Sequence, residues 1–151
     1  MRQPSRRDVL VLSAAGAMLT FVSMEEQASA AAKEAADQIA KFTGGKTATT
    51  AKISIELPEI AENGNTVPLS VSVDAPMTAD NFVSEILVVA DGNPNPGVAT
   101  FHFSPLSAKA EASTRIRLAT TQNIIVVAKT NKGELFTGQK LVKVTIGGCG
   151  G

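Results

Sequence analysis

The chain of 151 residues has no tryptophan, no tyrosine, one histidine and one cysteine. A single cysteine cannot form a disulfide within the chain, and one histidine with one cysteine falls short of a His/Cys metal cluster. No glycine-rich phosphate loop follows a predicted strand. Acidic and basic side chains are equal in number and form no basic stripe, which argues against nucleic acid. The composition therefore predicts no cofactor, no metal and no nucleic-acid partner.

The apolar run over residues 9–22 is about 14 residues long, whereas a membrane-spanning helix needs roughly 20. Three arginines precede the run, and a small-residue pattern, Ala-Ser-Ala at 28–30, follows it. This arrangement is typical of a cleaved export signal. We expect the signal to occupy residues 1–30, the mature chain to start near Ala31, and no membrane contact after cleavage.

The signal carries a specific pattern at residues 5–10, Ser-Arg-Arg-Asp-Val-Leu. It resembles the twin-arginine signal, with Val9 at the position usually held by phenylalanine. An ordinary secretory signal with three arginines is the alternative. The twin-arginine interpretation predicts export of a folded protein to the periplasm. Because the chain lacks cofactor ligands, we expect folded export to serve assembly with a second subunit that has no signal of its own.

The mature chain begins with helical spacing and then changes to an alternating pattern. Apolar residues recur at helical spacing over residues 31–42, and Thr-Gly-Gly at 43–45 ends the predicted helix. Alternating apolar and polar residues then predict strands. The predicted strands are 53–57, 67–73, 82–89, 98–103, 114–118, 123–129 and 134–146. Turns rich in Asn, Gly and Pro at 63–65, 91–97 and 131–133 separate several of them.

About seven short strands indicate an all-β fold, an immunoglobulin-like antiparallel β-sandwich with a short N-terminal helix. A fibronectin-like relative and a small barrel are the alternatives. Without disulfides, the stability must come from packing between the sheets. The predicted core residues are Phe82, Ile86, Val88, Phe101, Phe103, Ile116, Leu118, Ile125, Val127, Val142, Val144 and Ile146.

Cys149 is an odd cysteine near the C-terminus, and no bulky neighbour covers it. The residues around it are Gly147, Gly148, Gly150 and Gly151. Glycines make a thin and flexible strip, and three extended residues beyond Ile146 reach about 10 Å. We predict a sandwich domain over 31–146 and a mobile carrier tail over 147–151. A catalytic role is not expected, because such a tail cannot hold a base and oxyanion donors in fixed geometry.

The terminal Gly-Gly-Cys-Gly-Gly, reached through residues 142–146, resembles the signature of the SoxY family, the sulfur-carrier subunits of the SoxYZ complex. Residues 58–68, 74–77, 93–94 and 114–119 with Gln122 also resemble stretches of that family. The resemblance implies an immunoglobulin-like sulfur-carrier domain that forms a heterodimer with SoxZ. It implies that Cys149 receives thiosulfate as a thiosulfonate conjugate and that the flanking glycines serve this role.

The resemblance also implies three transient enzyme partners. In the family, the haem-containing SoxAX loads the thiol, and SoxB removes sulfate hydrolytically. SoxCD oxidises the remaining sulfane sulfur in organisms that possess it. The chain itself would then be a carrier, not an enzyme, and would be the substrate of its partners.

Other polar residues have simpler interpretations. His102 alternates with two phenylalanines on a predicted strand and should be exposed on the polar face. Arg115 and Arg117 share one strand face, either solvated or in contact with a partner. Glu59 and Glu62 flank a turn and are interpreted as loop carboxylates, not as an acid/base pair.

Two other functions compete with the carrier interpretation. A ubiquitin-like carrier would hold sulfur on a terminal Gly-Gly carboxylate, but the export signal and the sandwich pattern oppose it. A structural or adhesion sandwich would use Cys149 only for an interchain disulfide. The isolated thiol decides between this last class and the carrier, because only the carrier accepts thiosulfate-derived sulfur. Self-association through a sheet edge is the alternative to a heterodimer.

Overall fold

The computed structural model describes residues 29–148, and residues 1–28 and 149–151 lie outside the description. The described residues from Ala31 onward belong to one compact unit of the chain. The predicted signal falls almost wholly outside the described residues and stays a prediction. None of the helices in the described part is long and apolar enough to cross a membrane.

One helix and nine strands form the described part of the chain. The helix α1 occupies residues 29–43 of the described range. The strands are β1 (Thr49–Thr50), β2 (Ile53–Glu56), β3 (Ile60–Asn63), β4 (Val67–Val73), β5 (Val83–Ala90), β6 (Gly97–His102), β7 (Ala110–Ile116), β8 (Gln122–Thr130) and β9 (Leu135–Ile146). The predicted all-β class with a short preceding helix is confirmed.

The strands form two sheets. The smaller sheet has the order β2-β4-β7, and the larger has the order β1-β9-β8-β5-β6, with β3 also paired to β9. All pairs are antiparallel except those of β1 and β3, which run parallel to β9. Because β8 occupies one edge of β9, the short strands β1 and β3 share its other edge.

The main core lies between the two sheets. Strand β4 shows the alternation that the sequence predicts, with Val67, Leu69, Val71 and Val73 buried. They belong to one cluster with inward residues of the larger sheet, such as Val126. Each such side chain contributes roughly 1.5 to 3 kcal/mol on full burial. The single cluster shared by both sheets makes the fold a sandwich.

Helix α1 covers part of the outer face of the larger sheet. Ala35 is buried against Leu87 and Val89 of β5, with Ile39 and Phe42 packed beside them. Strand β5 is therefore buried on both faces. This explains why residues 86–90 of the strand form a continuous apolar run and do not alternate.

Several of the predictions need correction. Strand β3 lies where a loop was expected before the turn at 63–65, because its pairing with the edge of β9, not its own polar sequence, makes it a strand. The predicted strand 114–118 is β7, which ends at Ile116 and leaves Leu118 in the following loop. Ile146, predicted in the core, is 65% exposed, because β9 extends past the end of the sandwich.

The other core predictions were largely right. Ile86, Val88, Ile116, Leu118, Val127 and Val142 are buried, whereas Phe82, Phe101, Phe103, Ile125 and Val144 are half-buried. The inward face of β8 consists of Ile124, Val126 and Ala128. Ile125 and Val127 therefore point to the outer face, since successive residues of a strand alternate. The prediction for β8 was wrong by one residue in register.

Candidate functional site

Strand β9 leads directly to the glycines that precede Cys149. At its end, Ile146 lies beside Asn63 of β3 in parallel register. The next residue after β3, Gly64, donates its N–H to the carbonyl oxygen of Ile146 at 2.7 Å. The chain therefore leaves β9 while still bonded to the segment that follows β3.

The next two glycines are held by the backbone of other segments. Gly148 is buried, and its N–H donates to the carbonyl oxygen of Leu118 at 2.8 Å. The N–H of Leu118 donates in turn to the carbonyl oxygen of Gly64 at 2.8 Å. We call Gly64, Leu118, Ala119, Gly147 and Gly148 the tail root.

The tail root has no room for side chains on its glycines. A Cβ on Gly64 would overlap the carbonyl oxygen of Leu118, and a Cβ on Gly147 would overlap that of Ala119. A Cβ on Gly148 would lie 2.7 Å from the carbonyl oxygen of Gly64. Backbone atoms cannot swing aside as a side chain can. Glycine is therefore needed here for close approach of three backbone segments.

A buried amide holds the central segment of the tail root. Asn93 is 2% exposed, and its Oδ1 accepts hydrogen bonds from the N–H of Ala119 at 2.9 Å and from Nε2 of Gln122 at 2.8 Å. Its Nδ2 donates to the carbonyl oxygen of Arg117 at 2.8 Å. Asn93 thus binds the backbone on both sides of Leu118.

Gln122 completes this network. Its Oε1 accepts from the N–H of Gly92 at 2.8 Å, and its Nε2 also donates to the carbonyl oxygen of Thr120 at 3.0 Å. The Thr121 hydroxyl accepts from the N–H of Val144 at 2.9 Å, which ties the same loop to β9. Buried polar groups that are fully hydrogen-bonded fix one local structure. The loop 117–122 is therefore a rigid support for the glycines.

The predicted site residues are only partly within the described range. Cys149, Gly150 and Gly151 lie outside it, and their predicted roles stay predictions. Gly147 and Gly148, which belong to the predicted mobile tail, pack against Ala119 and Gly64, and the mobility of the tail stays a prediction. The local sequence gives no sign of this packing, because the contacting segments are far away in the chain.

The remaining polar candidates are exposed, as the sequence indicates, but Arg117 lies in the loop after β7 and does not share a strand face with Arg115. The His102 side chain is 69% exposed, with Nδ1 3.4 Å from Oε1 of Glu85. Arg115 and Arg117 are exposed. Glu59 and Glu62 are exposed as well, although Glu62 belongs to β3 and not to a loop. Within residues 29–148, no group of three or more His, Cys, Asp or Glu side chains is placed to hold a metal ion.

Sequence reasoning did not assign a role to the two buried amides. Asn93 and Gln122 stood out only as positions that resemble the SoxY family. A usable signal was present, because a loop asparagine next to proline and a glutamine at the start of an apolar strand suit local hydrogen bonding. Only the fold reveals that both amides support the same loop.

The fold and the site define the class as an all-β sandwich whose strand β9 leads into a glycine-cysteine segment. A family model described as "Sulfur oxidation protein SoxY" matches residues 39–149. The chain belongs to this family, as its tail motif predicted. Membership supports a role in sulfur oxidation, and this role is consistent with that of a sulfur-carrier subunit.

One solved structure agrees with this assignment, and two others share the fold. The sulfur carrier protein SoxY from Chlorobium limicola f thiosulfatophilum is 37% identical, with 73% of this chain and 94% of that chain covered and a TM-score of 0.60. A superoxide reductase (neelaredoxin) from Ignicoccus hospitalis is 24% identical, with 63% and 81% covered and a TM-score of 0.56. A putative superoxide reductase from Thermotoga maritima is 21% identical, with 61% and 84% covered and a TM-score of 0.54.

The likeness to the two reductases concerns the fold alone, because the sequence identity is low. Among curated proteins, no sequence matches the chain significantly.

Proposed function

We propose that the protein is a covalent carrier of sulfur intermediates in thiosulfate oxidation and that Cys149 holds them. The observation that carries the proposal is the tail root, which lies immediately before the only cysteine of the chain. Adjacent Cα atoms are about 3.8 Å apart. The thiol is thus attached one residue beyond a fixed point of the domain, an arrangement suited to presenting a cargo to other proteins.

The chemistry of loading is an oxidation. The Cys149 thiol and thiosulfate form a sulfur–sulfur bond, release one proton and yield two electrons, which a SoxAX-like haem partner accepts. Hydrolysis of the resulting thiosulfonate by a SoxB-like partner consumes one water, breaks the bond between the outer sulfur and the sulfonate, and releases sulfate and two protons. A persulfide then remains on Cys149, ready for a SoxCD-like partner.

The described domain supplies position and not catalysis in this scheme. Around the tail root, the groups that form hydrogen bonds are backbone amides, the carboxamides of Asn93 and Gln122, and the hydroxyl of Thr121. None of these is a general base in the ordinary pH range. The partner enzymes therefore activate the thiol, and the carrier is their substrate.

We also propose a periplasmic location, reached through the twin-arginine route, and a stable heterodimer with a SoxZ-like subunit. Exposed apolar residues on β3 and β9 support a partner surface, since Ile60 is 58% exposed and Leu141 is 51% exposed. Both residues lie on the outer face of the sheet, where Ile60 pairs with Lys143, two residues from Leu141 on the same face. Partner interfaces commonly bury such apolar groups.

The carrier assignment is tested by Cys149→Ser. The variant should fold and bind its partner subunit, because the substitution lies outside the core. Intact-mass analysis after incubation with thiosulfate and the loading enzyme should show a conjugate on the wild type and none on the variant, with sulfate release abolished. A wild type that forms only a disulfide-linked dimer would instead support the adhesion class, and sustained turnover in Cys149→Ser would exclude the carrier.

The partner surface is tested by Leu141→Glu, which places a charge on the apolar outer face. We expect at least tenfold weaker binding of the SoxZ-like subunit, since burying an unpaired charge is costly (about tenfold per 1.4 kcal/mol). Leu106→Glu is the matched control, because Leu106 is 96% exposed and lies in a loop. Equal binding of both variants would place the interface elsewhere.

A further inference from the structure

We propose that the tail root is a backbone clamp that holds Gly148 in place, so that the carrier arm, residues 149–151, pivots at Gly148. Gly64 and Asn93 are the positioning residues that maintain the clamp. For what Cys149 carries, this inference rests on the proposed function. The clamp itself is a statement about geometry and can be tested without any enzyme.

Gly64 is the centre of the clamp because it bonds to two segments at once. Its N–H donates to the carbonyl oxygen of Ile146 at 2.7 Å, and its carbonyl oxygen accepts from the N–H of Leu118 at 2.8 Å. The carbonyl oxygen of Leu118 then accepts from the N–H of Gly148 at 2.8 Å. Gly148 is thus tied to the domain two residues beyond the end of β9.

Close packing reinforces these bonds. The Cβ position of Gly64 lies 2.7 Å from the amide nitrogen of Gly148, and that of Gly148 lies 2.9 Å from the carbonyl carbon of Gly64. The two glycines therefore touch backbone to backbone, and a methyl group on either one would push them apart. In this pair, glycine restrains the arm instead of loosening it.

Asn93 acts on the arm through the loop that contains Leu118. Its two bonds to the backbone of Arg117 and Ala119 fix the direction of the Leu118 carbonyl, which is the acceptor for Gly148. Asn93 does not touch the arm in the described structure. It is therefore a positioning residue and not a binding residue.

The pivot position sets the reach of the thiol. An extended chain advances about 3.3 to 3.6 Å per residue. With a pivot at Gly148, Cys149 is one residue beyond the fixed backbone, whereas with a pivot at Ile146 it would be three residues beyond it. Opening the clamp would therefore add about 7 Å of slack, more than enough to disturb a near-attack geometry in a partner enzyme.

The clamp is tested by Gly64→Ala and Gly148→Ala, which break the same contact from opposite sides. Gly148→Ala lies beyond β9 and leaves the fold intact even if Gly64→Ala does not. Gly97→Ala is the matched control, because a Cβ there meets only the end of the flexible Gln38 side chain. The readouts are amide exchange at Gly148 by NMR, with the Val126 amide as a monitor of the core, and the mobility of a nitroxide label on Cys149, the only cysteine.

In the wild type and Gly97→Ala, the Gly148 amide should exchange at least about tenfold more slowly than in an unstructured peptide. Gly148→Ala, and Gly64→Ala if it folds, should lose this protection at the amide of residue 148 and keep it at the Val126 amide. The nitroxide label on Cys149 should give narrower lines in these variants. Enzymatic loading should fall at least about tenfold, while alkylation by a small reagent should not slow. This combination separates lost positioning from lost reactivity.

An unprotected Gly148 amide in the wild type, or full protection in Gly148→Ala, would overturn the clamp. Neither result would affect the Cys149→Ser test, so the clamp and the carrier assignment fail separately. Wild-type loading in a variant with proven loss of protection would also overturn the positioning role.

Discussion

Two Gly-Gly pairs lie within residues 29–148, and they look alike in sequence but work differently in the structure. Gly44 and Gly45 follow helix α1 with φ values of 63° and 77°, and a Cβ on either would meet nothing within 4 Å. Gly147 and Gly148 lack positive φ but have backbone atoms where a Cβ would lie. The first pair provides a left-handed backbone conformation, and the second pair allows close approach of neighbouring backbone segments.

The first pair ends the helix in a common way. The N–H of Gly45 donates to the carbonyl oxygen of Ala40 at 3.1 Å, and Gly44 holds the left-handed conformation between them. This is the pattern of a Schellman motif. Any residue that tolerates positive φ could do the same work. At the tail root, by contrast, only the absence of a side chain matters.

The largest effect that would separate the two pairs is expected from Gly148→Val. A branched side chain at this contact should slow enzymatic loading of Cys149 by at least about tenfold and leave the melting temperature almost unchanged, because the site lies beyond β9. Loading is followed by intact mass and stability by thermal unfolding. A wild-type loading rate would show that the close backbone packing of Gly147 and Gly148 is not needed for loading.

Gly150→Val sharpens this result, since Gly150 lies outside the described residues and beyond the clamp. If loading slows there as well, while thiol alkylation is normal, a narrow pocket in the partner enzymes also selects for glycine. A defect in Gly148→Val alone would leave the clamp as the sufficient reason.

A smaller effect is expected from Asn93→Ala, which tests whether the backbone contacts of the tail root depend on the Asn93 carboxamide. Removing the carboxamide leaves the N–H of Ala119 and Nε2 of Gln122 without this partner. An unsatisfied buried polar group costs about 1 to 3 kcal/mol. Denaturant unfolding should show this loss, and amide exchange should show a faster Gly148 amide in the still-folded variant. An unchanged exchange rate of the Gly148 amide would show that Asn93 does not help to position the carrier arm.

The smallest effect is expected from Gly44→Ala at the other pair. A left-handed conformation costs an alanine about 1 to 2 kcal/mol, so the free energy of unfolding should fall by that amount or less if the helix end frays instead. Exchange of the Gly148 amide and loading of Cys149 should be unchanged. A change in loading would mean that the two glycine pairs are coupled, contrary to the comparison.

Much of the fold was predictable because its signals are local. The alternation in β4 and the helical spacing before Gly44 gave the correct elements, and Val67–Val73 matched in both bounds. Strand β3 was not predictable, since Ile60–Asn63 becomes a strand only at the edge of β9. The outer face of β5 was not predictable either, because its burial depends on where helix α1 packs.

The sequence by itself determined the all-β class, the family and the single thiol, because alternation, a terminal motif and a residue count can be read without neighbours in space. Only the tertiary structure decided that Gly147 and Gly148 are packed and that Asn93 supports them. The physical reason is that Gly64, Leu118 and Gly148 meet through backbone atoms. Backbone atoms are the same in every residue, so a contact between them leaves no mark on the sequence except the absence of a side chain.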